Sequence, residues 1–186
     1  MSHSLKGVRI WLSGSIDPDA TDEEKNRLKE FLINFAAKVF HRDGRLIHGC
    51  HPSITPILID AAKLYKAQRH EKSGLVLCVS RFYSKKSTEQ SLADTQEFTI
   101  DTEEWNQLCF EPVIQTREDI PDESGNISAM GSLQILRDTL AEQSNIIVAL
   151  GGKWWREAGD QGGVPQEIEL ARQLDCLLYT SPSPRD

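Results

Sequence analysis

Three short turns that follow predicted β-strands contain residue types suited to binding a phosphate or a ribose. They are Ser13-Gly14-Ser15, Gly49-Cys50-His51 and Gly151-Gly152. Glycine lets the backbone approach a ligand closely, and serine adds a hydroxyl to the N–H groups of a turn. In a parallel α/β sheet, ligands bind beyond the carboxyl ends of the strands. Any one of these turns would suit an ordinary strand end, so the hypothesis of a binding cleft rests on their coincidence.

Two charged residues could complete this cleft. Arg137 lies on a predicted helix and could supply a counter-charge to an anionic ligand. Glu167 lies in the first turn of the last predicted helix, where a carboxylate could transfer a proton or could simply complement the helix dipole. The loop 153–162, which begins with Lys153, could cover the cleft as a lid, and its two tryptophans could stack on a base. The predicted ligand-binding set therefore includes all three residues.

His48 and His51 lie at the second turn and raise the hypothesis of a zinc site. Zinc sites use at least three protein ligands, and the two histidines supply only two. We therefore expect no metal, and we expect both imidazoles to form hydrogen bonds at the cleft. The cysteines show neither metal-ligand nor disulfide spacing, and Cys78, which lies in an apolar run, should be a buried thiol.

Strands and helices alternate along the chain, which predicts an α/β fold with a Rossmann-like layout. Apolar runs predict strands at 7–13, 45–48, 75–80, 112–116 and 145–150. Helices are predicted to begin at a Thr21–Glu24 capping box, at Thr55-Pro56, at Ala129 and at Gly163-Val164-Pro165. We expect a mostly parallel sheet with helices on both faces.

Two further patterns predict which side chains pack against the sheet. The first helix carries an apolar stripe of Leu28, Phe31, Leu32, Phe35, Ala36, Val39 and Phe40 at helical spacing. The segment 98–110 is ambiguous in secondary structure, and its residues Trp105, Leu108 and Phe110 are expected to pack on the sheet edge. Both patterns indicate core and carry no functional prediction.

Composition excludes several classes of protein. With 186 residues the chain has the length of one α/β domain, and its net charge of -7 argues against a general nucleic-acid surface. No apolar run approaches the roughly 18 residues of a membrane span, and the N-terminus lacks the apolar region of a signal peptide. The sequence has no G-x-G-x-x-G and no Walker lysine motif, which disfavours an ordinary dinucleotide or P-loop site. We expect a cytoplasmic protein that binds a small molecule, with neither a membrane nor a nucleic acid as partner.

These residues resemble the SLOG superfamily, a Rossmann-like group that includes the lonely-guy phosphoribohydrolases and the DNA-processing Smf proteins. The nearest similarity is to the SLOG family associated with TIR and purine-nucleoside-phosphorylase domains. Leu12-Ser13-Gly14-Ser15 matches the end of that family's first strand, and Gly44 to Pro56 matches its Gly-Arg-Leu-Val-x-Gly-x-His-Pro-x-Ile-x-Pro-like block. The resemblance implies a nucleotide or cyclic nucleotide as ligand, no cofactor, and control of a fused effector domain in bacterial antiphage defence. It leaves room for a homo-oligomer.

A second similarity, to the lonely-guy enzymes, concerns the end of the chain. Their Pro-Gly-Gly-x-Gly-Thr-x-x-Glu motif is matched in part by Gly151-Gly152 and by the spacing from Gly163 to Glu167, and Arg137 falls within about one position of their helix arginine. The proline is missing, Val164 replaces the threonine, and the loop 153–162 separates the two halves. The resemblance implies phosphate-binding geometry. An N-glycosidase with Glu167 as acid or base, and a structural domain with a vestigial cleft, remain as alternatives.

The segment Cys176 to Asp186 looks unlike the rest of the chain and resembles the translation of a common sequencing adapter. We therefore expect one SLOG-like domain over residues 1–175, C-terminally truncated, and a natural protein that continues beyond about Leu174. On this interpretation the sheet lacks a native strand after the last helix, and the effector domain beyond it is missing.

Overall fold

The computed structural model describes residues 3–80, 102–116, 129–151 and 163–180. Its strands are β1 (Arg9–Ser15), β2 (Arg45–His48), β3 (Leu75–Val79), β4 (Ile114–Gln115), β5 (Ile146–Gly151) and β6 (Leu177–Thr180). Its helices are α1 (Asp22–Phe40), α2 (Thr55–Arg69), α3 (Thr102–Leu108), α4 (Ala129–Glu142) and α5 (Val164–Gln173). The predicted strands and helices that fall within these ranges are all present, with end points shifted by a few residues.

The described strands form one six-stranded sheet in the order β4-β3-β2-β1-β5-β6. Every pairing within this sheet is parallel. The chain adds β2, β3 and β4 on one side of β1 and then crosses to place β5 and β6 on the other side. The direction of strand addition therefore reverses between β1 and β5, which is the topological switch point of the sheet. The prediction of a Rossmann-like α/β fold is confirmed.

Helices cover both faces of the sheet, because the strands are apolar on both sides. One core lies between the sheet and α1, α2 and α3, and includes Leu12, Leu46 and Leu77. The other core lies between the sheet and α4 and α5, and includes Trp11 and Cys78. Burial raises the pKa of the Cys78 thiol to about 12, so the prediction of a buried thiol is confirmed. None of the described helices is both long and apolar enough to cross a membrane.

Local signals in the sequence fix most of the helix boundaries. The capping box between Thr21 and Glu24 forms at the start of α1, and Pro56 lies in the first turn of α2. Most of the predicted α1 stripe is buried, but Phe31 is 42% exposed and stacks on its helical neighbour Phe35. Phe110 is also exposed, and one face of its ring contacts the guanidinium of Arg45.

A sixth strand follows α5, where we expected the sheet to lack a native strand. The strand β6 pairs with β5 in parallel from Leu177 to Thr180. Leu178 packs under α5, whereas Leu177 and Tyr179 on the other face are 70% and 64% exposed. The strand β6 therefore forms one edge of the sheet. The pairing does not test the adapter origin of these residues, which stays a prediction.

Candidate functional site

Ser13, Gly14 and Ser15 are the last three residues of β1, so the prediction of a turn at this position is wrong. They pair in register with the last three residues of β5. A Cβ built on Gly14, whose φ is +131°, would lie 1.8 Å from the carbonyl oxygen of Leu150. A Cβ on Gly151, whose φ is +55°, would lie 2.7 Å from the carbonyl oxygen of Ser15. These two glycines therefore allow the two strand ends to approach each other at the switch point.

Three polar side chains from three different elements meet beside this pair of strand ends. Strand alternation places Ser13 on the same face as Trp11, which is the face that α4 and α5 cover. The hydroxyl of Ser13 donates a hydrogen bond to Oε2 of Glu167 on α5. Nε of Arg137 on α4 donates to Oε1 of the same carboxylate at 3.2 Å. We call Ser13, Arg137 and Glu167 the switch-point cluster.

The start of α5 brings Glu167 into this cluster. Gly163 lies before the helix with φ +101°, and Pro165 occupies its first turn, where a missing N–H costs nothing. Glu167 therefore lies one turn into the helix and above the end of β1. Its carboxylate also complements the helix dipole, which is the structural role that the sequence indicates as an alternative to proton transfer. Glu167 combines this role with its contacts to Ser13 and Arg137.

The ion pair within the switch-point cluster is largely removed from water. The side chains of Arg137 and Glu167 are 10% and 17% exposed. Burial raises the pKa of Glu167, and the hydrogen bond from Ser13 and the charge of Arg137 oppose this effect without cancelling it. The cluster thus combines a carboxyl group whose protonation is easier than usual with a guanidinium fixed next to it. Such a pair can accept a hydrogen bond from a ligand hydroxyl and donate one to a ligand oxygen.

His48, which we predicted at the ligand, is 2% exposed and holds the backbone instead. Its Nδ1 lies 3.0 Å from the carbonyl oxygen of Leu12 in β1, and its Nε2 accepts a hydrogen bond from the N–H of His51 at 3.2 Å. A neutral ring with the proton on Nδ1 satisfies both contacts. Both ring nitrogens are therefore used, and His48 ties the β2–α2 loop to β1.

This arrangement predicts a loss of stability in acid. Burial lowers the pKa of His48 to about 4, from about 6.5 for an unperturbed histidine. Between these values the unfolded chain binds a proton that the folded protein does not. The unfolding free energy should therefore fall by about 3 kcal/mol as the pH drops from 6.5 to 4. Urea unfolding across this range measures the slope.

The variants His48→Gln and His3→Gln separate this effect from other titrations. His48→Gln should flatten the acid slope, whereas His3→Gln, at an exposed position, should keep it. A slope that is unchanged in His48→Gln would show that another group causes the acid loss.

The loop between β2 and α2 uses its own N–H groups internally. Six N–H groups of the loop and the first turn of α2 have acceptors close by in the chain. That of His51 donates to Nε2 of His48 at the end of β2, and the other five donate to His51 or Ile54, namely those of Ser53, Ile54, Thr55, Ile57 and Leu58. None of these six is left for an anion. The side chain of His51 is exposed, and its Nδ1 lies 2.8 Å from the hydroxyl of Ser53. These N–H groups are therefore used within the protein, and the hydroxyl of Ser53 also accepts a hydrogen bond from the N–H of Ile16, just after β1, at 3.0 Å.

Gly49 faces helix α4 and not the carboxyl edge. A Cβ at this position would lie 3.0 Å from Cδ1 of Leu140 and 3.4 Å from Cδ2 of Leu136. The residue that turns the chain is Cys50, with φ +59°. Gly49 thus permits close packing of α4, the helix that carries Arg137. We expected Gly49 at the ligand cleft, and a side chain added here would instead press on the side chains of Leu140 and Leu136 in α4.

Sequence reasoning missed one residue that contacts the switch-point cluster, Gln166, and one that contacts Gln166 in turn, Gln134. Gln166 precedes Glu167 and accepts a hydrogen bond from Nη1 of Arg137 at 3.0 Å, and Gln134 of α4 contacts Gln166. Gln134 lies one helical turn before Arg137, so the helical spacing was the available signal. Gly152, Lys153 and the tryptophans of the loop 153–162 lie outside the described residues. Within the described ranges, no group of three or more His, Cys, Asp or Glu residues is arranged to hold a metal ion.

Fold and site together define a Rossmann-like α/β domain with a buried, polar, charge-paired cluster at its topological switch point. Comparison of the sequence with protein-family models finds no match, and comparison with curated proteins finds none either.

Proposed function

We propose that this domain is a sensor that binds a nucleotide-derived ligand at the switch-point cluster and regulates a fused effector domain. The observation that supports binding most strongly is the convergence of Ser13, Arg137 and Glu167 from three separate elements at the switch point. Ligands of open parallel α/β sheets bind at this position. The resemblance to the SLOG family supports the nucleotide, the effector domain and the role in antiphage defence.

The Nη2 group of Arg137, which has no partner among the described residues, supports a ligand that offers an oxygen acceptor. Nε and Nη1 are occupied by Glu167 and Gln166, whereas Nη2 has no hydrogen-bond partner in the described part of the chain. A nearly buried guanidinium whose Nη2 has no partner among the described residues is suited to a phosphate or carbonyl oxygen. The adjacent carboxylate of Glu167 repels negative charge, which favours a neutral, hydroxyl-rich portion of the ligand beside it or at most a singly charged one.

The alternative is an N-glycosidase of the lonely-guy type, and one observation favours it. Burial raises the pKa of Glu167, as is typical of a carboxyl group that acts as general acid or base. In such an enzyme, Glu167 would handle the proton and Arg137 would orient the phosphate. Structural ion pairs also perturb pKa values, so we place this function second.

An assay for released base distinguishes sensor from enzyme. We expect wild type incubated with AMP, NAD or ATP to release no more adenine than a protein-free control. We expect Glu167→Gln to bind the same compounds within about threefold of wild type, because the amide oxygen can accept from Nε of Arg137 while the amide nitrogen donates to the hydroxyl oxygen of Ser13. Glu169→Gln, at an exposed position, is the control. If wild type and Glu169→Gln release base and Glu167→Gln does not, the domain is an N-glycosidase and the sensor proposal is wrong.

A further inference from the structure

The guanidinium of Arg137 begins a chain of hydrogen bonds that passes from α4 to α5 and returns to α4. Its Nη1 donates to Oε1 of Gln166 at 3.0 Å. Nε2 of Gln166 donates to Oε1 of Gln134 at 2.7 Å, and Nε2 of Gln134 donates to Oδ1 of Asp138 at 2.8 Å. We call Gln166, Gln134 and Asp138 the glutamine relay. It crosses from α5 to α4, so it also links the two helices that carry the switch-point cluster.

The two ends of the glutamine relay determine which way its amide groups are oriented. Arg137 has only donors, and an ionised Asp138 has only acceptors. Each of the two amides between them can therefore satisfy both neighbours in only one orientation, with its oxygen towards Arg137 and its nitrogen towards Asp138. Turning either amide over would place two acceptors or two donors against each other. The relay is thus a fixed path and not a pair of adaptable amides.

We propose that Gln166 is a positioning residue that fixes the rotation of the Arg137 guanidinium through the glutamine relay. With Nε held by Glu167 and Nη1 held by Gln166, the group can rotate only by breaking a hydrogen bond. Nη2 is then the edge that faces a ligand. The ligand-facing part of this inference rests on the proposed function, whereas the positioning of Arg137 is a property of the free protein and can be tested without a ligand.

The first test measures the guanidinium directly. Rotation about the Nε–Cζ bond exchanges Nη1 and Nη2, and its rate can be read from the ¹⁵N signals of Arg137, which Arg137→Met assigns by their loss. In wild type we expect two separate Nη signals. Gln166→Met should accelerate the exchange by about three- to tenfold, the effect of one lost hydrogen bond. The matched control is Gln173→Met on the exposed side of α5, which should leave the exchange unchanged.

The second test asks whether Gln134, which does not contact Arg137 in the relay, acts through Gln166. Gln134→Met should accelerate the exchange in wild type and should add less than about twofold in the Gln166→Met background, because the relay is already broken there. Equal effects of Gln134→Met in both backgrounds, or no effect of Gln166→Met, would overturn the relay. Urea unfolding of each variant verifies that the comparison is made between folded proteins.

A titration with AMP connects positioning to binding. We expect Gln166→Met and Gln134→Met each to lower the affinity for AMP by about three- to tenfold, and Gln173→Met to leave it unchanged. If wild type fails to bind AMP while the exchange data behave as expected, the relay stands and AMP is removed as a ligand of the proposed sensor. If AMP binds wild type and Gln166→Met equally, the role of Gln166 in presenting Nη2 is wrong.

Discussion

Arg137→Met is expected to lower the unfolding free energy by about 3–5 kcal/mol. The substitution leaves the carboxylate of Glu167, whose side chain is 17% exposed, without its cation. A buried charge that loses its partner keeps its desolvation cost and loses the compensating attraction. Urea unfolding of wild type and Arg137→Met at pH 7 measures the loss of unfolding free energy.

Two companion variants test this explanation. Arg137→Met/Glu167→Gln should recover to within about 1.5 kcal/mol of wild type, because a neutral amide can replace the carboxylate at Ser13 without an uncompensated charge. Arg172→Met breaks the pair of Arg172 and Glu169, whose side chains are 61% and 53% exposed, and should cost no more than about 0.5 kcal/mol. Equal losses in Arg137→Met and Arg172→Met would contradict a buried, energetically coupled pair.

Gly14→Ala is expected to be at least as damaging, with a loss above about 4 kcal/mol or failure to fold. The added Cβ would lie 1.8 Å from the carbonyl oxygen of Leu150, which is backbone inside the sheet and cannot move aside. The φ of +131° adds strain for any side chain. Because β1 and β5 meet here, the same substitution would separate the two strands that support the switch-point cluster.

Gly7→Ala is the matched control for this prediction. Gly7 also has a positive φ, of +83°, but an added Cβ would meet nothing within 4 Å. The substitution should therefore cost only the backbone strain, about 1–2 kcal/mol. Thermal and urea unfolding of both variants compare them, and similar losses at the two positions would show that strain, and not the contact with Leu150, sets the requirement for Gly14.

Much of the fold could be predicted because its signals are local. The apolar run that contains Leu75–Val79 indicates a strand buried on both faces, and the capping box at Thr21 fixes the start of α1. Residues 13–15 were predicted as a turn because serine and glycine are common in turns. Pairing with β5 overrides that preference, and neighbours distant in sequence are not visible in a local pattern.

The candidate site was predictable residue by residue but not as an arrangement. Ser13, Arg137 and Glu167 were each named from the sequence, yet their contact depends on β1 lying next to β5 and on α4 and α5 sharing a face. His48 was expected at the ligand because its chemistry suits one. Its actual role depends on a carbonyl group of Leu12 in another strand, which no spacing within the loop reveals.

An equilibrium titration of wild type and Arg137→Met/Glu167→Gln with AMP, NAD, ATP and cyclic AMP tests the central claim most directly. The double variant is chosen because it should fold nearly as stably as wild type, so that a loss of binding reports the site. We predict that at least one of these compounds binds wild type and binds the double variant about ten- to a hundredfold more weakly. Binding of equal strength in both proteins, or no binding to wild type by any of the four, would contradict a nucleotide site at the switch-point cluster.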